Sequence, residues 1–359
     1  MPQQGAINNA VTRRGKLGSI RIRHRLDPQG VCVASIRPLE PGYIVCGIQE
    51  LGLIGAAPKN FIVFPKCATP NNRYARAYVA KKPVRKHTGF RECVTEYLIA
   101  RLGRMLPLQV AEARLVRLGA SEQSPPDVRF MSRYFLQPGE SLLHGVEIVA
   151  QCFGMEKAAI EREFQNVKQE QSLYALDLVD DVIWEFGKTD AVSQRLREGF
   201  ARMIAFDALI GANDRHAGNW GIVEDVEQKR PPRFSPVFDT ARGLLLRYSD
   251  ADLERVEKTR TTESFIKNHA ERSLPLIGTP GREHSNHFEL VRYMVGPGHK
   301  RFGQAAKSIV FAFRPEHARS VLHREFGRLF SPLRLRFIDA LLRYRHQRLI
   351  DICSTRGST

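Results

Sequence analysis

The feature that most constrains this chain is a change of pattern near Pro138-Gly139. Before it, short β-branched and aromatic segments alternate with Pro, Asp and Asn; after it, apolar residues recur at helical spacing almost to the end. Such segregation predicts an α+β fold of two lobes, strand-rich over residues 1–137 and mainly helical over 138–359. In the first part, Ile20 to Ile22, Val31 to Ile36, Tyr43 to Ile48, Asn60 to Phe64 and Tyr78 to Lys81 read as strands. One helix follows from Thr88 to about Met105, with Phe90, Cys93, Tyr97, Leu98 and Leu102 on its apolar side. Two more strands are expected at Ala111 to Leu118 and Val128 to Leu136, joined by the Ser121 to Asp127 loop.

Beyond residue 138 the clearest helix is Val192 to Leu209. Leu196, Phe200, Met203, Ile204 and Leu209 line one side, and Arg195, Arg197, Glu198 and Arg202 are expected to face water. A strand pair, Trp220 to Val223 and Pro236 to Leu246, interrupts this part. Further helices are expected at Asn286 to Met294, Gly303 to Phe313, Pro315 to Phe330 and Leu333 to Cys353, the last behind Ser331 and Pro332.

Composition excludes several classes. A chain of 359 residues that is 43% hydrophobic, with 20 Phe, has enough apolar material for a large core and does not read as disordered. The least charged stretch, Pro41 to Pro58, contains Glu50 and is broken by glycines, so no membrane span is expected. The basic run at the start is not followed by an apolar segment, as a secretory leader would require. Six scattered cysteines without a C-x-x-C pair fit a reduced, cytoplasmic setting and supply no zinc spacing.

The net charge of +17 is uneven: +13 in residues 1–110, −5 in 111–200, +1 in 201–300 and +8 in 301–359. Basic ends suit polyanions, whether nucleotides, acidic partners or nucleic acid. The last helix carries Arg334, Arg336, Arg343, Arg345 and Arg348, and a solvated basic face is the expected reading for them.

The chemistry concentrates in Phe206-Asp-Ala-Leu-Ile-Gly-Ala-Asn-Asp-Arg-His-Ala-Gly-Asn-Trp220 and in Pro236-Val-Phe-Asp-Thr-Ala-Arg-Gly243. A helix ends at a glycine and presents Asp214, His216 and Asn219 within six residues on a loop at 211–220. A second segment at 236–243 then presents Asp239. Two carboxylates and an amide can converge on Mg²⁺, which takes oxygen ligands and leaves positions for substrate phosphates. Phosphoryl transfer needs that metal and a further carboxylate to orient and deprotonate the attacking hydroxyl.

The D-R-H-x-x-N run (Asp214, Arg215, His216, Asn219) with F-D-x-x-x-G (Phe238, Asp239, Gly243) resembles the catalytic and metal-binding loops of HipA-type serine/threonine kinases, and more distantly those of phosphatidylinositol 3- and 4-kinases. The resemblance implies a bilobal, protein-kinase-like fold and transfer of the ATP γ-phosphate to a Ser or Thr of a protein. It implies Asp214 as catalytic base, His216 as an organiser of the catalytic loop, and Asn219 and Asp239 as Mg²⁺ ligands. Ala77-Tyr-Val-Ala-Lys-Lys-Pro83 is similar to the family's nucleotide-binding strand, which implies Lys81 as the phosphate lysine, with Lys82 as second choice. Thr95-Glu96-Tyr97 is similar to the family's N-E-Y and implies Glu96 as partner of that lysine, with Glu92 competing. Met131, Ser132 and Arg133 fall at the adenine hinge, where backbone groups would hold the base.

Cys67 to Arg73 stands where HipA has its glycine-bearing phosphate loop, with Thr69 as a candidate for self-modification. Two alternatives accompany this reading. One is a lipid or small-molecule kinase; the other is a kinase-like component of a DNA-associated toxin and antitoxin complex, acting beside a helix-turn-helix partner and touching DNA only indirectly.

Overall fold

The computed structural model describes residues 26, 30–39, 42–46, 59–64, 76–84, 88–118, 127–163, 174–282, 285–297 and 300–355. The expected strand at Ile20 to Ile22 and the Cys67 to Arg73 segment with Thr69 lie outside the described residues.

Five strands form one antiparallel sheet in the order β1 (Ile44–Cys46), β2 (Lys59–Phe64), β3 (Arg76–Lys81), β5 (Asp127–Arg133), β4 (Ala113–Leu118). Helix α1 (Phe90–Gly103) falls between β3 and β4 in sequence. Strand alternation divides the side chains between two faces. Ile62, Tyr78, Ala80, Val116 and Met131 build a small apolar cluster on one face. On the other, Lys59 pairs across from Lys81 and Lys81 across from Phe130. Phe130 and Val128 there join the main core with Val94, Leu98 and Ile99 of α1. Because α1 is buried on nearly all sides, its apolar stripe is weak in the sequence, and even Glu96 is only 4% exposed.

The second sheet is small: β6 (Glu140–His144), β7 (Gly221–Asp225) and β8 (Arg233–Phe234), all antiparallel. The helical part comprises α2 (Gly145–Phe153), α3 (Lys157–Glu163), α4 (Leu176–Gly187), α5 (Asp190–Ile210), α6 (Asp250–Thr259), α7 (Thr262–Glu271), α8 (His287–Val295), α9 (Lys300–Ala312), α10 (Pro315–Glu325) and α11 (Pro332–Ser354), of which α2 and α5 pack on this sheet. Helix α5 is the axis of this part. Thr189 caps its start by accepting the Val192 N–H, and Gly211, with φ +68°, ends it in the left-handed conformation that glycine adopts at little cost. Leu196, Phe200, Ala201 and Met203 on it are fully buried, each large apolar side chain contributing about 1.5–3 kcal/mol.

Several expectations are corrected. Val31 to Ile36 is no strand: Val31 makes a single bridge to Phe330, and Val33–Ser35 turns as a 3-10 helix. Glu140–His144, expected to be past the last N-terminal strand, pairs with β7 and fixes the loop that precedes it. Pro236 to Leu246 is not a regular strand either. Val237 bridges Val110, and the segment then turns back so that Leu244 donates to the Ile210 carbonyl at 3.0 Å. Arg197, expected in solvent, is 3% exposed, bonded to Asp180 and stacked at 4.8 Å over Trp184. Arg334 and Arg345 of α11 are buried as well, at 1% and 0% exposure. Helical periodicity misplaced them because a guanidinium satisfied inside the core leaves the same sequence trace as one in water. Among the described residues no helix is long and apolar enough to cross a membrane.

Candidate active site

Lys81, at the end of β3, projects toward both α1 and the segment after β8. Its Nζ lies 2.9 Å from Glu96 Oε1 and 3.1 Å from Asp239 Oδ1. Burial alone would lower the lysine, but the two carboxylates outweigh it and raise it, so the ammonium stays charged. Burial pushes Glu96 up to about 6 against the pull of Lys81. Desolvation would raise Asp239, whose side chain is 36% exposed, yet Lys81, Lys59 and Arg215 hold it below the usual carboxylate range. Glu92 takes no part in this cluster: it accepts from the Thr88 hydroxyl at 3.1 Å. Lys82 points elsewhere, 3.7 Å from Asp127.

Arg215 organises the loop after α5. Its guanidinium is 2% exposed and makes a two-pronged contact with Asp207 of α5, at 2.7 and 2.9 Å. Nη1 also donates to the carbonyls of Asn219 and, at 2.9 Å, Phe238. One side chain therefore ties the Asp214 loop to the Asp239 segment. Asn219, 6% exposed, donates its amide to the Asp214 carbonyl at 2.7 Å, which fixes the direction of its own side-chain oxygen. His216 accepts the Gly218 N–H at Nδ1 and so caps the 3-10 turn at Ala217–Asn219. Burial lowers its basicity. The Gly218 carbonyl meets Nδ1 of His144 at 2.8 Å, from the end of β6.

The Asp214 carboxylate stands 2.7 Å from Arg242 Nη1. Asp239 itself has φ +53°, and Leu244 and Leu245 have φ +48° and +63°. Asp adopts this region more readily than most residues, whereas leucine rarely does, so the 239–245 segment carries backbone strain next to the cluster.

Sequence reading brought together Lys81 and Glu96, and separately Asp214, His216, Asn219 and Asp239; the structure adds Asp239 to the lysine pair. It missed Lys59, whose signal was its place one strand before Lys81 on the same face. Burial and the neighbouring Lys81 ammonium lower Lys59. It also missed Arg215 and Asp207 as the buried pair beneath the loop. The hinge assignment requires correction: Met131, Ser132 and Arg133 sit in β5, which has β3 on one side and β4 on the other. Arg133 donates its N–H to the Glu112 carbonyl at 2.7 Å, and the Met131 side chain is buried in the cluster on the far face. Backbone groups engaged in two ladders cannot also hold a base. The chain leaves the sheet only after Tyr134, whose N–H meets the Ala77 carbonyl at 2.9 Å, and Phe135 then stacks 6.1 Å from Phe238.

The HipA-like C-terminal domain matches residues 51–294, a span that takes in the lysine strand, the Asp214 loop and Asp239. The chain belongs to the HipA-like C-terminal domain family. Among solved structures, the Helicobacter pylori proinflammatory kinase CtkA is similar with a TM-score of 0.64 at 17% identity, covering 89% of this chain and 98% of that one. The HipA of Shewanella oneidensis, solved with HipB and its operator DNA, aligns with a TM-score of 0.44 at 13% identity, over 84% of this chain and 64% of that one. No curated protein matches in sequence. Membership in the HipA-like family and the fold shared with CtkA agree with the mixed helix and sheet architecture described above.

Proposed function

We propose that this chain is an ATP- and Mg²⁺-dependent kinase that transfers the γ-phosphate to a Ser or Thr hydroxyl of a protein. The nucleotide would lie between a sheet lobe, residues 1–137, and a helical lobe, residues 138–359. The observation that carries the reading is the cluster of buried Lys81 and Glu96 with partly exposed Asp239, on the strand, helix and loop that a HipA-like kinase would use. Lys81, held by Glu96, has the charge and anchoring to take the nucleotide phosphates. The adenine would meet the chain at Phe135 to Gln137, past the sheet. Lys59, on the same face as Lys81, adds a second cation for phosphate.

The donor set fits magnesium. Asp239 remains anionic, and Asn219 offers an amide oxygen while its nitrogen is engaged; both are hard oxygen ligands. When bound, Mg²⁺ would neutralise charge on the β- and γ-phosphates. Asp214 would orient the acceptor hydroxyl. As the hydroxyl oxygen bonds to the γ-phosphorus, the bond to the β–γ bridging oxygen breaks, ADP leaves, and Asp214 takes the hydroxyl proton. Arg215 holds the loop backbone in register for both residues.

The test is incubation of the purified chain with radiolabelled ATP and Mg²⁺, with a cell lysate and with anionic lipid vesicles, alongside Asp214→Ala and Asp239→Ala. Label in protein that falls about 10²–10⁴-fold in Asp214→Ala is expected. Equal labelling by wild type and both variants would sink the proposal, and label confined to lipid would convert it to a lipid kinase.

A further inference from the structure

Arg242 also lines a small pocket open to solvent, with Asn213, Arg247, Tyr248, His269 and Ser273 among its other walls. Nothing in the transfer chemistry uses it. Its wall is the strained 242–248 segment, which Asn213 and Ile210 hold through backbone hydrogen bonds at 3.2 and 3.0 Å.

Positive charge converges on it from two elements. Arg242 and Arg247 come from the wall. Arg345 of α11 stands behind Gly211: a Cβ added at that glycine would lie 3.2 Å from Arg345 Nη1. Arg345 is fully buried, donates through Nε to the Ala208 carbonyl at 2.6 Å and through Nη1 to the Ala270 carbonyl at 3.3 Å, and stacks 5.1 Å over Phe288. Its Nη2 has no hydrogen-bond partner among the described residues, and neither does the buried Oδ1 of Asn213. A buried guanidinium donor without an acceptor costs free energy; Arg345 does not itself line the cavity and adds to its positive potential from behind Gly211. Two carboxylates are near: Asp214, already on Arg242, and Glu271, engaged by Tyr344 and Arg348 at 2.8 and 3.1 Å. Burial first, then Arg345 and Arg247, push His269 down to about 4, and burial lowers Arg345 to about 9 despite Glu271. The cavity thus has an excess of cationic donors.

We infer that this cavity binds a phosphate-type oxyanion, a phosphate monoester or inorganic phosphate, through Arg242, Arg247 and His269, with Arg345 behind them. Guanidinium groups match such oxygens in number and direction. A neutral His269 supplies a ring N–H. Because Arg242 is shared, an anion in the cavity competes with the Asp214 carboxylate for it.

The experiment is calorimetric titration of the full chain with inorganic phosphate and, separately, with O-phosphoserine, both in the presence of saturating non-hydrolysable ATP analogue and Mg²⁺ and in a Lys81→Met background. The readout is binding, so it does not depend on the transfer reaction. One site is expected in both settings, weakened tenfold or more by Arg247→Ala and by His269→Ala. Arg247 is exposed, and a melting curve equal to wild type would establish that its truncation leaves the fold intact. Tighter O-phosphoserine than phosphate assigns the site to a protein-borne phosphate; equal affinities assign it to the free anion. Absence of heat, loss of binding in Lys81→Met, or affinity unchanged in both Arg247→Ala and His269→Ala overturns the inference.

Discussion

Arg215 offers the sharpest test of how the site is held. It is buried with Asp207, and its Nη1 also serves the Asn219 and Phe238 carbonyls. Arg215→Met leaves the Asp207 carboxylate buried and unpaired, which costs about 3–5 kcal/mol. At ~2.1 cal/mol/K of unfolding entropy per residue, a chain of this length unfolding as one unit loses about 4–7 °C of melting temperature. Replacing both partners, Asp207→Leu with Arg215→Met, removes the unpaired charge, so most of that loss returns. Activity does not return with it, because neither carbonyl is then tied to α5 and Asn219 loses its register against Asp239. The assay is a melting series beside ATP turnover for the two single variants and the double. A double variant with both wild-type stability and wild-type turnover would refute Arg215 as the organiser. A single variant costing under about 1 kcal/mol would refute the burial argument itself.

Two further outcomes follow from the same cluster. Glu96 is pushed up to about 6 from 4.5, so the folded state takes up its proton first as pH falls. Its contribution to stability therefore rises between pH 6 and 4.5, opposite to Asp239, whose lowered value makes stability fall only below the ordinary aspartate range. Protonated Glu96 no longer anchors Lys81, and the dependence of turnover on ATP should show an acid limb near pH 6 that disappears in Glu96→Gln. Lys59→Met should raise the KM for ATP about tenfold with kcat nearly unchanged, the worth of a hydrogen bond to a charged group; an unaltered KM would remove Lys59 from the site.

How far the sequence carried depended on where each signal was stored. The loop residues Asp214, His216 and Asn219 were legible because a helix stop at Gly211 and a dense polar run cannot be read as core. Lys81 and Glu96 are reached through the resemblance of their segments to the family's lysine strand and N-E-Y, since on composition alone Lys81 and Lys82 read equally as a solvated basic face. Met131 to Arg133 reads as free backbone in the sequence because strand composition does not reveal how many neighbours a strand has. Met131 to Arg133 would suit an edge, but β4 pairs on that side and uses the backbone groups. Glu140–His144 escaped as a strand because its partner lies some eighty residues later and contributes no local pattern. Lys59 escaped for the same reason: its meaning comes from a cross-strand register with Lys81, not from its own neighbours.

The basic charge shows most clearly what folding adds. Read along the chain, the arginines of the last helix form a row that could lie against a polyanion. In the fold, Arg334 turns inward to Asp250 and the Tyr248 carbonyl, Arg345 to two backbone carbonyls, while Arg336, Arg343 and Arg348 meet Glu257, Asp339 and Glu271. A counterion-release mechanism needs cations whose partners are mobile ions, because only those are exchanged for phosphates. Four of these five guanidinium groups have a carboxylate instead, so the helix can contribute little to a DNA surface. Arg345 is the exception: it is buried, short of one acceptor, and behind a cavity flanked by Arg242 and Arg247. The unmet donor of Arg345 is thus buried behind that pocket rather than set along an exposed face of the helix.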